Sequence, residues 1–204
     1  MDESRPDGVE WDISMETTND VLSLERLRAL IKGGLGCELV LLKSVGSTND
    51  FTSGLAEKGF PHGTVVIAEE QTQGRGRLGR PWVSPPGNIY MSILLRDIAD
   101  APQLTRLVPA ACASALSALT GVSVGIKWPN DLMINERKLG GILIETRAGS
   151  GGVRYAVVGI GINVNAAPEG AISLLEATGR HFHRNGLIAG VINELDNALK
   201  TSDK

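Results

Sequence analysis

The sequence predicts an α+β domain whose mixed, largely antiparallel sheet is flanked by helices. Three observations carry that prediction. Short apolar runs rich in Val, Ile and Leu recur from Cys37 onward. Four of them follow one another between Val122 and Val164 with only turn-length spacers, the spacing of hairpins rather than of helical crossovers. Stripes of helical period lie before, between and after these runs, which places helices beside the sheet.

The elements follow in order. Residues 1–20 are polar and acidic with little periodicity and read as a loose arm. Leu22, Leu24, Leu27, Leu30 and Ile31 recur at helical spacing until Gly33-Gly34 stops them. Cys37 to Leu42 reads as a strand. Ser47 with Asp50 three residues later resembles a capping box opening a short helix that ends near Gly59. Thr64 to Ala68 and Ile89 to Leu95 are apolar strands, separated by a Gly- and Pro-rich segment, Glu69 to Asn88, with no apolar period. The stripe Leu104, Leu107, Val108, Ala111, Cys112, Ala115, Leu116 and Leu119 is helical, with Pro109 expected in its first turn or at a kink. Strands are expected over Val122–Trp128, Leu132–Ile134, Leu139–Glu145 and Arg154–Val164, then helices around Ile172–Gly179 and Leu187–Lys200.

Composition narrows the function classes. With 42% hydrophobic and 21% charged residues in 204, the chain is that of an ordinary globular domain. A net charge of −3 argues against a general binder of nucleic acid or acidic membranes. Cys37 and Cys112 form no CxxC pair, which gives no zinc site and fits a reducing compartment. The acidic start shows no leader, and no apolar run nears the roughly 18 residues that span a bilayer. A cytoplasmic location is expected.

Three constellations carry chemistry. In Gly74-Arg75-Gly76-Arg77-Leu78-Gly79-Arg80 the glycines let backbone approach a ligand, and no acid lies between Gln71 and Asp97, so the arginines form an uncompensated cationic loop. Guanidinium groups so placed suit a carboxylate or a phosphate. The loop is neither a P-loop nor a Rossmann turn; a solvated basic loop or an RNA-binding Gly-Arg tract are the bland alternatives. In Lys127-Trp128-Pro129-Asn130-Asp131 followed by Lys138-Leu139-Gly140-Gly141-Ile142, Pro129 and Asn130 fix a turn. Lys138 could offset charge developing on a phosphoryl or acyl group, or could simply be an edge lysine. In Gly159-Ile160-Gly161-Ile162-Asn163 a bare strand can lie against a flat ring.

Ser47-Thr48-Asn49, Gln71 with the Gly-Arg-Gly-Arg-x-Gly-Arg loop, Lys-Trp-Pro-Asn-Asp, Lys-Leu-Gly-Gly-Ile-Leu and Gly-Ile-Asn stand here in one order and spacing. Together they resemble the biotin–protein ligases over about residues 38–200. The resemblance implies the catalytic domain of the biotin ligase and class II aminoacyl-tRNA synthetase type, shared with lipoate ligases. It implies activation of biotin by ATP, with Mg²⁺, to biotinyl-5′-adenylate, then transfer to a lysine of a biotin carboxyl carrier domain. By the same resemblance Ser47, Thr48, Asn49 and Gln71 hold the fused-ring head of biotin, and Gly74, Arg75 and Arg77 fold over biotin and its activated carboxyl. Gly141 borders biotin. Trp82, Asn130 and Asn163 look like adenine-side groups, and Arg80 like a phosphate contact. Lys138 resembles the lysine that touches carboxylate and α-phosphate, and Asp131 the acid that supports it. Arg77, Asp131 and Lys138 are thus the expected catalytic set.

Members that also repress transcription carry a winged helix-turn-helix; only 46 residues precede Ser47 here, so a monofunctional type is expected. The expected organisation is an arm over 1–20 and one catalytic domain over 21–204, without the C-terminal SH3-like domain of many members. No nucleic acid or membrane partner is expected; the oligomeric state, homodimer included, stays open. The glycine-arginine loop, Gln71 to Pro86, is expected to order over its ligand as a lid. The alternatives are a lipoate–protein ligase, which would need an apolar tunnel, and a sensor that binds biotin or its adenylate without transferring it.

Overall fold

The computed structural model describes residues 20–96, 98, 101–149 and 152–202, so the arm expected over residues 1–20 lies, but for Asp20, outside the described residues. Its helices are α1 (Leu24–Leu30), α2 (Thr48–Glu57), α3 (Ala101–Thr120), α4 (Leu174–Thr178) and α5 (Arg184–Ser202). Its strands are β1 (Leu39–Val45), β2 (Val65–Gln71), β3 (Ile89–Leu95), β4 (Gly125–Lys127), β5 (Asp131–Ile134), β6 (Arg137–Gly149) and β7 (Gly152–Ile162). They form one sheet in the order β1-β2-β3-β7-β6-β5-β4, with β1 and β2 parallel and every other pair antiparallel. The mixed, largely antiparallel α+β class is therefore correct.

Side-chain alternation divides the sheet into two unlike faces. On β3, Ile89, Met91, Ile93 and Leu95 join the main core with Val158, Ile160 and Ile162 of β7 and Ile142 of β6, against Leu104, Val108 and Leu116 of α3 and Leu187, Val191 and Leu195 of α5. On the opposite face Leu94 meets Ala56 of α2, Tyr155 and Val157 in a second, smaller cluster. Beyond that cluster this face is bared by glycines: Gly141 pairs with Gly161, and Gly159 with Leu143. A slot lined by backbone rather than by β-carbons results, beside the N-terminus of α2.

Several boundaries differ from expectation. Only Gly125–Lys127 of the run Val122–Trp128 is strand. Helix α3 begins at Ala101, so Pro109 sits in its interior rather than in its first turn. Packing explains its tolerance: Val108, Pro109, Ala111 and Cys112 are all buried against the sheet. The first strand starts at Leu39 instead of Cys37. The β5–β6 turn, Asn135-Glu136, has φ of 46° and 63°, the pair of positive values that a two-residue hairpin needs.

Candidate active site

The bare face opens into a cleft of about 480 Å³. Of the expected site residues, Ser47, Thr48, Asn49, Gln71, Arg75, Arg77, Arg80, Trp82, Asn130, Asp131, Lys138, Gly141 and Asn163 line it; Gly74 does not. A β-carbon at Gly74 would come within 2.5 Å of Trp82 O and 2.6 Å of Ser84 Oγ, so its glycine is required by close packing of the loop on itself.

One end of the cleft is a buried polar floor. Ser47, Thr48 and Asn49 are each at most 4% exposed. Gln71 Oε1 accepts from Thr48 N at 2.8 Å and from Thr48 Oγ1 at 3.0 Å, while Gln71 Nε2 donates to Ser84 Oγ at 3.1 Å. Ser92, one strand deeper, lies 2.8 Å from Thr48 Oγ1 and 2.6 Å from Asn49 Oδ1. The expected capping box is absent. Ser47 makes no side-chain cap bond, which leaves its hydroxyl for the cleft it lines. Asp50 instead binds Arg75.

The other end is cationic and internally ordered. Arg77 Nη1 donates to Asn130 Oδ1 at 2.9 Å, Asn130 Nδ2 donates to Asp131 Oδ1 at 3.1 Å, and Lys138 Nζ stands 2.8 Å from the same oxygen. The glycine-arginine loop and strand β6 thus hold Arg77 and Lys138 over one space through a turn whose Trp128–Pro129 bond is cis. Asn163 is buried and donates from Nδ2 to Ile172 O at 3.3 Å and to Lys138 O at 3.5 Å, so its amide braces the Lys138 strand. The amides of Asn130 and Asn163 are thus engaged within the chain. Between the ends Trp82 lies on the glycine slot, Lys138 Nζ is 5.3 Å from its ring centroid, and the indole N–H is buried with no partner among the described residues.

The glycine-arginine loop is not uniformly uncompensated. Arg75 donates to both oxygens of Asp50, at 2.5 and 2.7 Å, and to both of Glu145, at 3.1 and 3.0 Å. The Asp50 carboxylate holds this guanidinium even further above its ordinary pKa, with Glu145 adding to the effect. Arg75 and Pro81 form a bridge, Gly76 N donates to Arg80 O at 2.7 Å, and Trp82 N donates to Gly74 O at 2.8 Å. The loop is a small hairpin in which Arg75 finds its counterions elsewhere in the fold. Its crest is Leu78, at φ 59° and 89% exposed, flanked by exposed Arg77 and Arg80.

Sequence reasoning missed Glu145, Ser84 and Ser92, and it gave Asp50 the wrong partner. Glu145 had a legible signal, since it stands two and four residues beyond Leu143 and Gly141 and so on their face of β6. Also missed was Arg184, 4% exposed, which bonds Glu69 Oε2 at 2.6 Å, Asp20 Oδ2 at 2.5 Å and Asn88 O at 3.2 Å. Asn88 Oδ1 in turn accepts the N–H groups of Val164, Asn165 and Ala166, which shapes the turn after Asn163.

The donor set does not fit a protein-held metal. Asp131, the one carboxylate lining the cleft among the described residues, is taken by Lys138. No group of three or more His, Cys, Asp or Glu side chains among the described residues could hold a metal ion. The expected magnesium would rest on phosphate oxygens, its usual partners.

Residues 41–163 match the Biotin/lipoate A/B protein ligase family. The chain belongs to that family. Among curated relatives, the bifunctional ligase/repressor BirA of Bacillus spizizenii is 39% identical over 170 residues, covering 78% of this chain and 52% of that protein. The biotin–[acetyl-CoA-carboxylase] ligase of Mycobacterium tuberculosis is 34% identical over 182 residues, covering 82% of this chain and 66% of that enzyme. Among solved structures, biotin protein ligase from Aquifex aeolicus in complex with biotin and ATP superposes with a TM-score of 0.72 at 35% identity, over 81% of this chain and 71% of that one. This family member thus spans about half the length of the bifunctional relative. No helix among the described residues is long and apolar enough to cross a membrane.

Proposed function

We propose that this chain carries the catalytic unit of an ATP-dependent biotin–protein ligase. One observation carries the reading: a buried polar floor and a cationic cluster face each other across one glycine-lined cleft. The floor suits a ureido head, which offers one carbonyl and two N–H groups. A dithiolane head would leave the Ser47 hydroxyl and the remaining hydrogen-bonding capacity of Thr48 and Gln71 facing an apolar ring, at a cost of about 1–3 kcal/mol for each group left unpaired. That mismatch favours biotin over lipoate.

The chemistry follows from charge. A carboxylate oxygen attacks the α-phosphorus of ATP, a P–O bond to pyrophosphate breaks, and a mixed anhydride forms. Two anions must meet, so Lys138 and Arg77 would offset their repulsion and stabilise charge on the phosphoryl oxygens. Asp131 would position the lysine, and the Asn130 bridge keeps Arg77 beside it. In the second step a neutral lysine amine of a carrier domain attacks the acyl carbon, AMP leaves, and the amine gives up a proton. Proximity supplies much of that rate. Trp82 over bare Gly161 marks where a flat base or the anhydride would be covered from water.

Pyrophosphate release measured with ATP plus biotin, and separately with ATP plus lipoate, tests the assignment. Release with biotin alone is expected. Release driven by lipoate and not by biotin would move the chain to the other branch of the family.

A further inference from the structure

The polar floor has a proton order, and a residue outside the cleft lining fixes it. Asn49 Nδ2 donates to Glu145 Oε2 at 2.6 Å and to Leu143 O at 3.4 Å. A carboxylate beside a guanidinium and a backbone carbonyl only accept, so the amide can present only its nitrogen to them. Its oxygen must then face Ser92, where Oγ lies 2.6 Å away. Asn49 Oδ1 cannot donate, so it takes the single proton of Ser92. Ser92 therefore has none to give to Thr48 Oγ1, 2.8 Å away on its other side. The Thr48 proton goes to Ser92 Oγ or to Gln71 Oε1. In either arrangement Thr48 Oγ1 accepts from none of these residues and keeps its lone pairs for the cleft it lines. Arg75, on both oxygens of Glu145, holds the carboxylate in place. Gly159 makes room for the relay, since a β-carbon there would stand 2.3 Å from Asn49 Oδ1.

We propose that Glu145 is a specificity-determining positioning residue that, through Asn49 and Ser92, keeps both lone pairs of the Thr48 hydroxyl free to accept and so favours a head group presenting an N–H. The inference rests on the biotin reading of this cleft. In Glu145→Gln the relay reverses. The new amide oxygen pairs with Arg75, and its nitrogen turns Asn49 over. Asn49 Nδ2 then donates to Ser92, whose own proton occupies one of the two lone pairs of Thr48 Oγ1. The double variant Asn49→Asp/Glu145→Gln restores the order, because a carboxylate at 49 accepts from both the new amide and Ser92.

The test compares biotin with its two lactam analogues, in each of which one ring N–H is replaced by CH₂, by calorimetric titration of the full chain. The wild type should bind the weaker lactam on the order of ten-fold less well than biotin, the worth of one buried hydrogen bond. Glu145→Gln should lose part of that preference, and the double variant should regain it. A carboxylate with a merely structural role would lower affinity for biotin and lactam alike and would not be rescued. Undiminished preference in Glu145→Gln, or no recovery in the double variant, overturns the proposal. Should the single variant not fold, equal binding of biotin and both lactams by the wild type or the double variant overturns it as well. A wild type that binds no biotin at all would instead overturn the functional reading.

Discussion

Gly161→Ala should cripple the cleft while sparing the fold. A β-carbon at this position would stand 2.7 Å from Trp82 Nε1, 2.8 Å from Cε2 and 2.9 Å from Cζ2. Carbon contacts settle near 3.5–4.0 Å, so the indole must retreat by about 1 Å. It cannot retreat freely, because Lys138 stands over the ring, with Nζ 5.3 Å from its centroid. A misplacement of about 1 Å can cost on the order of 10²-fold in rate, which is the loss expected in biotin-dependent pyrophosphate release. The backbone of Gly161 lies in an ordinary strand, so alanine brings no conformational strain and the melting temperature should hold. Gly141→Ala, with its milder 3.2 Å contact, should lose less activity. Trp82→Ala added to Gly161→Ala should remove the clash, so that the pair is no worse than Trp82→Ala alone. Full activity of Gly161→Ala would refute the view that the glycine slot positions this indole.

Lys138→Ala should lower adenylate formation on the order of 10²-fold, as loss of one preorganised charge does. Near-normal turnover would remove Lys138 from the mechanism. Trypsin should cut first at Arg77–Leu78, since Leu78 is 89% exposed whereas Arg75 is ion-paired twice. Biotin with ATP should slow that cut, Arg80–Pro81 should resist throughout, and fastest cutting after Arg75 would contradict the pairing. Arg184→Leu strands Asp20 and Glu69 without their counterion and should cost about 3 kcal/mol. For a domain of this size that is a melting shift on the order of 10 °C by calorimetry. An unchanged melting temperature would show the network to be idle.

The order of elements was legible because alternation and helical period were strong, as on β3 and β7. Helix α3 was harder to place, since Pro109 argues locally for a boundary while burial of its neighbours overrides it. The site was legible as a set of motifs, and thirteen of the fourteen expected residues meet in one cleft. What the sequence hid was pairing across distance. Glu145 lies 70 positions from Arg75 and 96 from Asn49, so neither partner could be read from spacing. For the same reason the loop looked uncompensated until the fold brought Asp50 and Glu145 against it. Ser47 matched a capping box because its spacing to Asp50 is right, but the Arg75 guanidinium competes better for that carboxylate than the helix terminus does.

The most direct test of the central claim is rapid quenching of the protein with biotin and ATP labelled at the α-phosphate. The adenylation chemistry predicts one enzyme-bound biotinyl-adenylate per cleft, formed only with biotin and matched by one pyrophosphate. Addition of a carrier domain should then chase the biotin to one lysine with release of labelled AMP. ATP consumption that does not depend on biotin, or biotin recovered unmodified from a folded protein, would contradict it.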